Sequence, residues 1–224
     1  MAAIGRRVIA QYSIGFQNYI TITIAEGIDG KLLYIVSEPQ LNSIGEKIYG
    51  SSYSYILSDV NVLKNFSSFT TFDDGYGYAR DIVYRVCRRV LKGCRVEERQ
   101  IESVVYYILR DFIGYGEIDP FIRDPNIEDV TCDGADRPIY VFHSTYEWLE
   151  SNIVLNYKNL ERAVRRLAYR AGKEPSIAQP IVEGVLKPEG YRVHIVLDTI
   201  SPSGHSFTIR RFRETPFTIT ELIN

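Results

Sequence analysis

The 224-residue chain has little of what several common chemistries require. Its three cysteines, Cys87, Cys94 and Cys132, form no CxxC pair and have no histidine pair at ligand spacing. An odd, scattered set argues against both a disulfide framework and a zinc site, so plain thiols and no metal are expected. Histidine is scarce as well: His143, His194 and His205 stand apart, without i, i+4 pairing. The phosphate-cradling pattern GxxxxGK[ST] does not occur. GEKIYGSS at 45–52 has the glycine spacing but puts Ser where the lysine must sit. Nor is there a GxSxG elbow, an HExxH, or a GxGxxG after a strand, and GYGYAR at 75–80 is too short and too aromatic to count. Catalysis by this chain alone is therefore not expected. Apolar runs such as IVLN and YIVS fall far short of the roughly 20 residues that span a bilayer. RRVIAQYSIG turns polar too soon for a secretory leader, so a cytoplasmic protein is expected, resting on a membrane only through a partner.

What is present is an ordinary folded composition, 45% hydrophobic and 24% charged. The net charge of −2 conceals a sorting. Residues 1–150 carry 15 Lys and Arg against 21 Asp and Glu, whereas residues 151–224 carry 11 against 7. A basic back half favours an anion site there, though weakly.

Local patterns organise the chain. Residues 18–38 read as a β-hairpin around GIDG. Residues 40–75, rich in Ser, Tyr, Asn and Gly, read as a loop-rich connector with Tyr49, Tyr53 and Tyr55 exposed to partners. Two amphipathic helices follow. Ala79, Ile82, Val83, Val86 and Val90 stripe the first, with Asp74 as its expected N-cap; Ile101, Val104, Val105, Ile108, Leu109 and Phe112 stripe the second, which Gly114 ends. From there IEDVT, RPIYVFH and YEWLESNIVL read as strands. Leu160, Ala163, Val164, Leu167 and Ala168 mark a helix closed at Ala171-Gly172, with Arg162, Arg166 and Arg170 on its polar side. YRVHIVL and SFTIRRF read as an antiparallel pair, with Arg192 and His194 opposite in face to Val193 and Ile195. The expected class is α+β: a front β-hairpin layer, a helical pair, then a mostly antiparallel sheet with a packed helix. The expected divisions are 1–75, 76–113 and 114–224.

Arg210, Arg211 and Arg213 cluster around Phe212 in GHSFTIRRFRETP. Taken alone, they read most simply as partners of Asp and Glu within the fold. A wider pattern changes that weighting. GYGEIDPFIRDPNIEDVTCDG, RPIYVFH, GKEPSIAQPIVEGVLKPEGYRVHIV, GHSFTIRRF and TITELI follow one another, and an earlier YIVSEP precedes them. This succession resembles the N-terminal region of the type II/IV secretion ATPase superfamily, the hexameric motors of protein secretion, pilus assembly and archaellum assembly. The resemblance is strongest with the archaeal branch. It covers about residues 110–224 and thins over 1–75.

The resemblance implies that a RecA-like ATPase domain follows TITELI and that this chain is the N-terminal portion. Without the P-loop that portion does not hydrolyse ATP, and ATP and Mg belong to the full-length parent. It also implies that Arg192, in a G-x-R step, and Arg210 and Arg211, in I-R-[RK]-F, reach the nucleotide phosphates, with Arg213 close by. LKPEGYR carries one residue more than the family's turn, which loosens the placement of Arg192. Implied partners are the RecA-like domain, neighbouring subunits and a membrane platform protein docked by the front segment. The location implied is the inner face of the cell membrane. The alternatives are a stand-alone protein-binding adaptor, and nucleic-acid binding through the arginines of residues 159–171 and the tail, which the net charge disfavours. No nucleic-acid partner is expected.

Overall fold

The computed structural model describes residues 7–91, 96–176, 178–201 and 204–211. The described residues divide into two compact units, one drawn from 7–30 and 35–124, the other from 31–34 and 125–211. The chain crosses between them within β3.

In the first unit β1 (Arg7–Ile14) pairs antiparallel with β2 (Ile20–Glu26). ITITIAE alternates, and the pleat buries Ile20, Ile22 and Ile24 while Thr21 and Thr23 stay half-exposed. The turn after β2 closes with a Gly30 N–H to Gly27 C=O bond of 3.1 Å, and β3 (Leu32–Ser37) begins just beyond it.

The stretch expected to be a loop-rich connector is helical. It forms α1 (Ser43–Ser58) and α2 (Val60–Ser68), and α3 (Phe72–Val90) starts before its end. Of the residues that suggested loops, Asn42 is an N-cap and most of the Ser, Tyr and Gly lie within α1. The Asn42 side chain accepts from the Ile44 and Gly45 N–H groups, and Asp59 accepts from Asn61 and Val62. Thr71, not Asp74, caps α3; Asp74 sits at N3 and completes a capping box with Thr71. The apolar stripe of α1 is thin because its buried face reads Ile48, Ser52, Ile56. Ser52 is fully buried, and its hydroxyl has no hydrogen-bond partner among the described residues. An unsatisfied buried hydroxyl is costly, so Ser52→Ala is expected to stabilise the protein by about 1 kcal/mol. Chemical unfolding of the variant checks this; a loss of stability would contradict it.

α4 (Glu98–Phe112) buries Ile101, Val104, Val105, Ile108 and Leu109 and packs on α1 and α3. Gly75 explains part of the odd GYGYAR run. A Cβ there would lie 2.2 Å from the Ile113 side chain, so glycine permits the close approach of α3 to the end of α4. Tyr49 and Tyr53 are half-buried and packed against other rings. Their rings lie 5.9 Å apart, Tyr49 also packs on Tyr107, and Tyr53 packs on Phe112 at 5.1 Å. The Tyr49 hydroxyl donates to Asp111, and burial first, then Asp111, raises its pKa. α5 (Asp119–Arg123) ends the unit.

The second unit is a sheet with one helix. Its strands are β4 (Ile127–Cys132), β5 (Pro138–His143), β6 (Glu147–Val154), β7 (Ile181–Val185), β8 (Arg192–Val196) and β9 (Ser206–Arg210), with α6 (Tyr157–Arg170) between β6 and β7. The order is β3-β6-β5-β4-β9-β8-β7. Only β3 and β6 run parallel; the other pairs are antiparallel. The expected α+β class and mostly antiparallel sheet with a packed helix are what the structure has. α6 buries Leu160, Ala163, Val164, Leu167 and Ala168 and lies against β7 and β8. β7 is an addition to the strands expected from sequence. Gly184 interrupts its pattern, and a Cβ at 184 would meet the Ala171 Cβ at 2.7 Å, so glycine lets the strand pass the end of α6.

Candidate functional site

β8 and β9 bury Val193, Ile195, Phe207 and Ile209 on one face. Alternation therefore sends Arg192, His194, Thr208 and Arg210 to the other. The antiparallel register then sets Arg192 directly opposite Arg210, and His194 opposite Thr208. One strand outward, Arg192 faces Val185 and His194 faces Glu183. These side chains line an open depression of about 650 Å³.

On its far side Arg210 faces Asp129 of β4. Its Nε donates to Asp129 Oδ1 at 2.8 Å and its Nη2 to Oδ2 at 3.4 Å. The Arg210 side chain is 70% exposed and that of Asp129 only 14%. Asp129 raises the Arg210 pKa, first by this hydrogen bonding and then by its charge. Like charges directly opposed across a strand pair are unfavourable, so two arginines at facing positions mark a place where an anion is welcome. The His194–Glu183 approach of 3.8 Å is an ion pair only when the imidazole is protonated.

The longer LKPEGYR turn does not displace Arg192. The turn is closed by Leu186 N–H to Tyr191 C=O and Gly190 N–H to Leu186 C=O, each 2.8 Å, and Arg192 enters β8 in register with Val185. Arg211 is separated from this face. Its N–H donates to Glu128 C=O at 2.8 Å, and its guanidinium carbon lies 4.8 Å from the centre of the Tyr191 ring. Arg213 lies outside the described residues. Sequence reading missed Asp129 and Thr208. Both stand at outward positions in recognisable strands, but only the pairing register shows that they neighbour the arginines.

Comparison with known proteins gives the following. No protein-family model matches the chain. An uncharacterized protein of Methanocaldococcus jannaschii is 29% identical over 213 residues, covering 87% of this chain and 38% of that protein. A second uncharacterized protein of that organism is 41% identical over 96 residues, 42% of this chain and 38% of its own length. The chain thus spans about two fifths of these relatives. Among solved structures, the VirB11 ATPase of the Brucella suis type IV secretion system, in complex with sulphate, is 22% identical with a TM-score of 0.38. That match covers 53% of this chain and 34% of that one. It is a coarse structural likeness over half the chain.

A second cluster joins Tyr157, at the start of α6, to Asp198 and His205. The Tyr157 hydroxyl donates to Asp198 Oδ2 at 2.6 Å, and its ring stacks on His205 at 5.6 Å. The Asp198 N–H donates to His205 Nδ1 at 3.1 Å. The Tyr157 hydroxyl is the largest cause holding the Asp198 carboxyl below the usual carboxylate range. A carboxyl depressed in the folded state stabilises above its unfolded pKa, about 3.9, and that contribution fades as pH falls through the folded value. Tyr157→Phe removes the cause, so the stability gap between wild type and variant is expected to be wider at pH 7 than at pH 3. Urea unfolding at the two pH values measures it; equal gaps would contradict the assignment.

Two other polar regions stand out among the described residues, a cleft in the helical unit and the polar side of α6. The helical unit has a cleft of about 860 Å³, but Glu38, Glu97, Glu98 and Glu102 line it. Arg80 spans two of these, at 2.5 Å from Glu98 and 2.9 Å from Glu102. On α6, Arg165 pairs with Glu161 at 2.8 Å and Arg162 donates to Asn159 at 2.7 Å. Cys132 is buried and Cys87 half-buried, while Cys94 lies outside the described residues. Among the described residues no cluster of His, Cys, Asp and Glu is placed to hold a metal ion. None of their helices is long and apolar enough to cross a membrane.

Proposed function

We propose that this chain is the N-terminal domain of a hexameric ATPase that powers type II/IV-type protein secretion, or pilus or archaellum assembly. In this reading Arg192 and Arg210 contribute to the nucleotide site. The observation that carries it is the pairing of these two arginines at facing positions on an open sheet face. The ordered succession of sequence blocks from GYGEIDP to TITELI supports it independently.

The chemistry suits the role. A guanidinium keeps its charge at any working pH and offers a planar fork of donors matched to phosphate oxygens. Arg192 and Arg210 orient the phosphate group and stabilise charge growing on its oxygens during transfer. The ATP, its Mg ion and the phosphate-cradling loop belong to a following RecA-like domain. Phosphate contact by Arg211 requires it to leave Tyr191, and Arg213 is a further contributor beyond the described residues. Movement of the arginines with the nucleotide passes its state to the sheet. In the proposed assembly the helical unit docks a membrane platform protein at the inner face of the cell membrane.

The test is turnover and particle size of the protein extended through the RecA-like domain. ATP hydrolysis by a hexamer is expected; an inactive monomer, or a gene without a following P-loop, would overturn the proposal. The second reading is a protein-binding adaptor. It is favoured by Trp148, 55% exposed on the same sheet face and packed edge-on against Phe142 at 5.5 Å.

A further inference from the structure

Asp129 occupies the Arg210 fork in the way an incoming phosphate would. Its two oxygens accept from Nε and Nη2, the edge with which a guanidinium grips paired anionic oxygens. The two partners are unequally fixed. Asp129 belongs to β4, which is hydrogen-bonded on both sides, to β5 and β9, and its side chain is largely buried. Arg210 is the last residue of β9, and most of its side chain is in solvent. The carboxylate is thus held by the sheet, and the guanidinium ends a long, mostly exposed arm.

From this geometry we propose that Asp129 is a built-in competitor for the anion, regulating the arginine site. It holds Arg210 when the depression is empty and yields it when a polyphosphate arrives. Rebinding of Arg210 to Asp129 then favours release. The proposal rests on the reading that Arg210 meets phosphate, and it adds a threshold to that contact. The exchange involves no covalent step; one charge-assisted bidentate contact replaces another. An exposed ion pair is worth little, so the threshold is small: removing the competitor is expected to tighten anion binding about two- to fivefold.

The experiment titrates inorganic tripolyphosphate into the 224-residue chain at low salt. Wild type, Asp129→Asn, Arg210→Ala and the double variant are compared. Asp129→Asn keeps the shape of the side chain and removes its charge. Tighter binding by Asp129→Asn, with the gain abolished when Arg210 is also Ala, is the expected result. Competition through Arg210 is the only route to that coupling. A gain that persists in the double variant is a diffuse charge effect and overturns the proposal. Unchanged or weaker binding by Asp129→Asn overturns it as well, while weaker binding by Arg210→Ala alone leaves the parent reading standing. Arg210→Ala that binds like wild type overturns the inference and removes Arg210 from the proposed site, leaving Arg192. The inference is overturned as well if neither wild type nor Asp129→Asn binds, whereas the proposed function, in which a following domain cradles the nucleotide, is decided by its own turnover test.

Discussion

Arg110→Ala is expected to lower the unfolding free energy by about 3–5 kcal/mol, the usual consequence of breaking a buried ion pair from one side. Only 10% of the Arg110 side chain is exposed. Nη1 donates to Glu38 Oε2 at 2.7 Å and Nε to Asp111 Oδ1 at 3.0 Å, while the Tyr107 ring centre lies 4.6 Å from the guanidinium. Burial works against the charge, but Asp111 and Glu38 outweigh it and raise the Arg110 pKa. Tyr106 donates to Glu38 at 2.6 Å, and Tyr49 to Asp111, so both carboxylates are gripped by hydroxyls as well. Truncating Arg110 leaves Glu38 and Asp111 desolvated without the guanidinium that joins them. Urea unfolding at pH 7 measures the loss. Acid should narrow the gap to wild type, because protonation removes the stranded charge. A loss below about 1 kcal/mol would mean that water reaches these carboxylates and that the helical unit is not held together as described.

The second large effect concerns the arginine face. In the proposed ATP-hydrolysing parent, Arg192→Ala with Arg210→Ala is expected to reduce turnover by about 10²–10³-fold, the scale set by deleting preorganised donors to a developing anion. The fold should not suffer. Arg210 is mostly exposed, and its pair with Asp129 is worth at most about 1 kcal/mol. A thermal midpoint within about 4 °C of wild type therefore accompanies the loss. Arg211→Ala should have a smaller effect, because its guanidinium rests on Tyr191 and not in the depression. Turnover within threefold of wild type in the double variant would place the nucleotide elsewhere.

Much of this architecture is written in local patterns, and the failures are equally local. β5, β6, β8 and β9 were legible because alternation survives along much of each, as in RVHIV, where Val193 and Ile195 are buried between exposed Arg192 and His194, and β4 was legible despite the break at Glu128 and Asp129. α4 and α6 were legible because their stripes are wide. α1 was not, since Ser52 breaks its stripe and its N-cap Asn42 looks like a loop residue. Thr71 and Asp74 lie three apart, so the capping box was visible in principle, and reading Asp74 as the cap placed the start of α3 too late. β7 was hidden by a glycine needed for packing against Ala171.

For the candidate site, side-chain direction was legible and neighbourhood was not. The alternation of SFTIR sends Arg210 outward, and the next residue, Arg211, belongs to the opposite pleat. Nothing local, however, sets Arg192 across from Arg210 or puts Asp129 on its other side. Those juxtapositions come from long-range register among β4, β8 and β9. Asp129 lies within the very block that carries the family resemblance, yet its relation to Arg210 appears only once the strands are paired.

The most direct measurement is a structure of the protein extended through the proposed RecA-like domain, with a non-hydrolysable ATP analogue bound. Hydrogen-bond contact between a terminal phosphate oxygen and the guanidinium of Arg192 or Arg210, with Arg210 drawn away from Asp129, is the predicted result. Arg210 still clasping Asp129 and Arg192 remote from the nucleotide in every subunit would contradict the account.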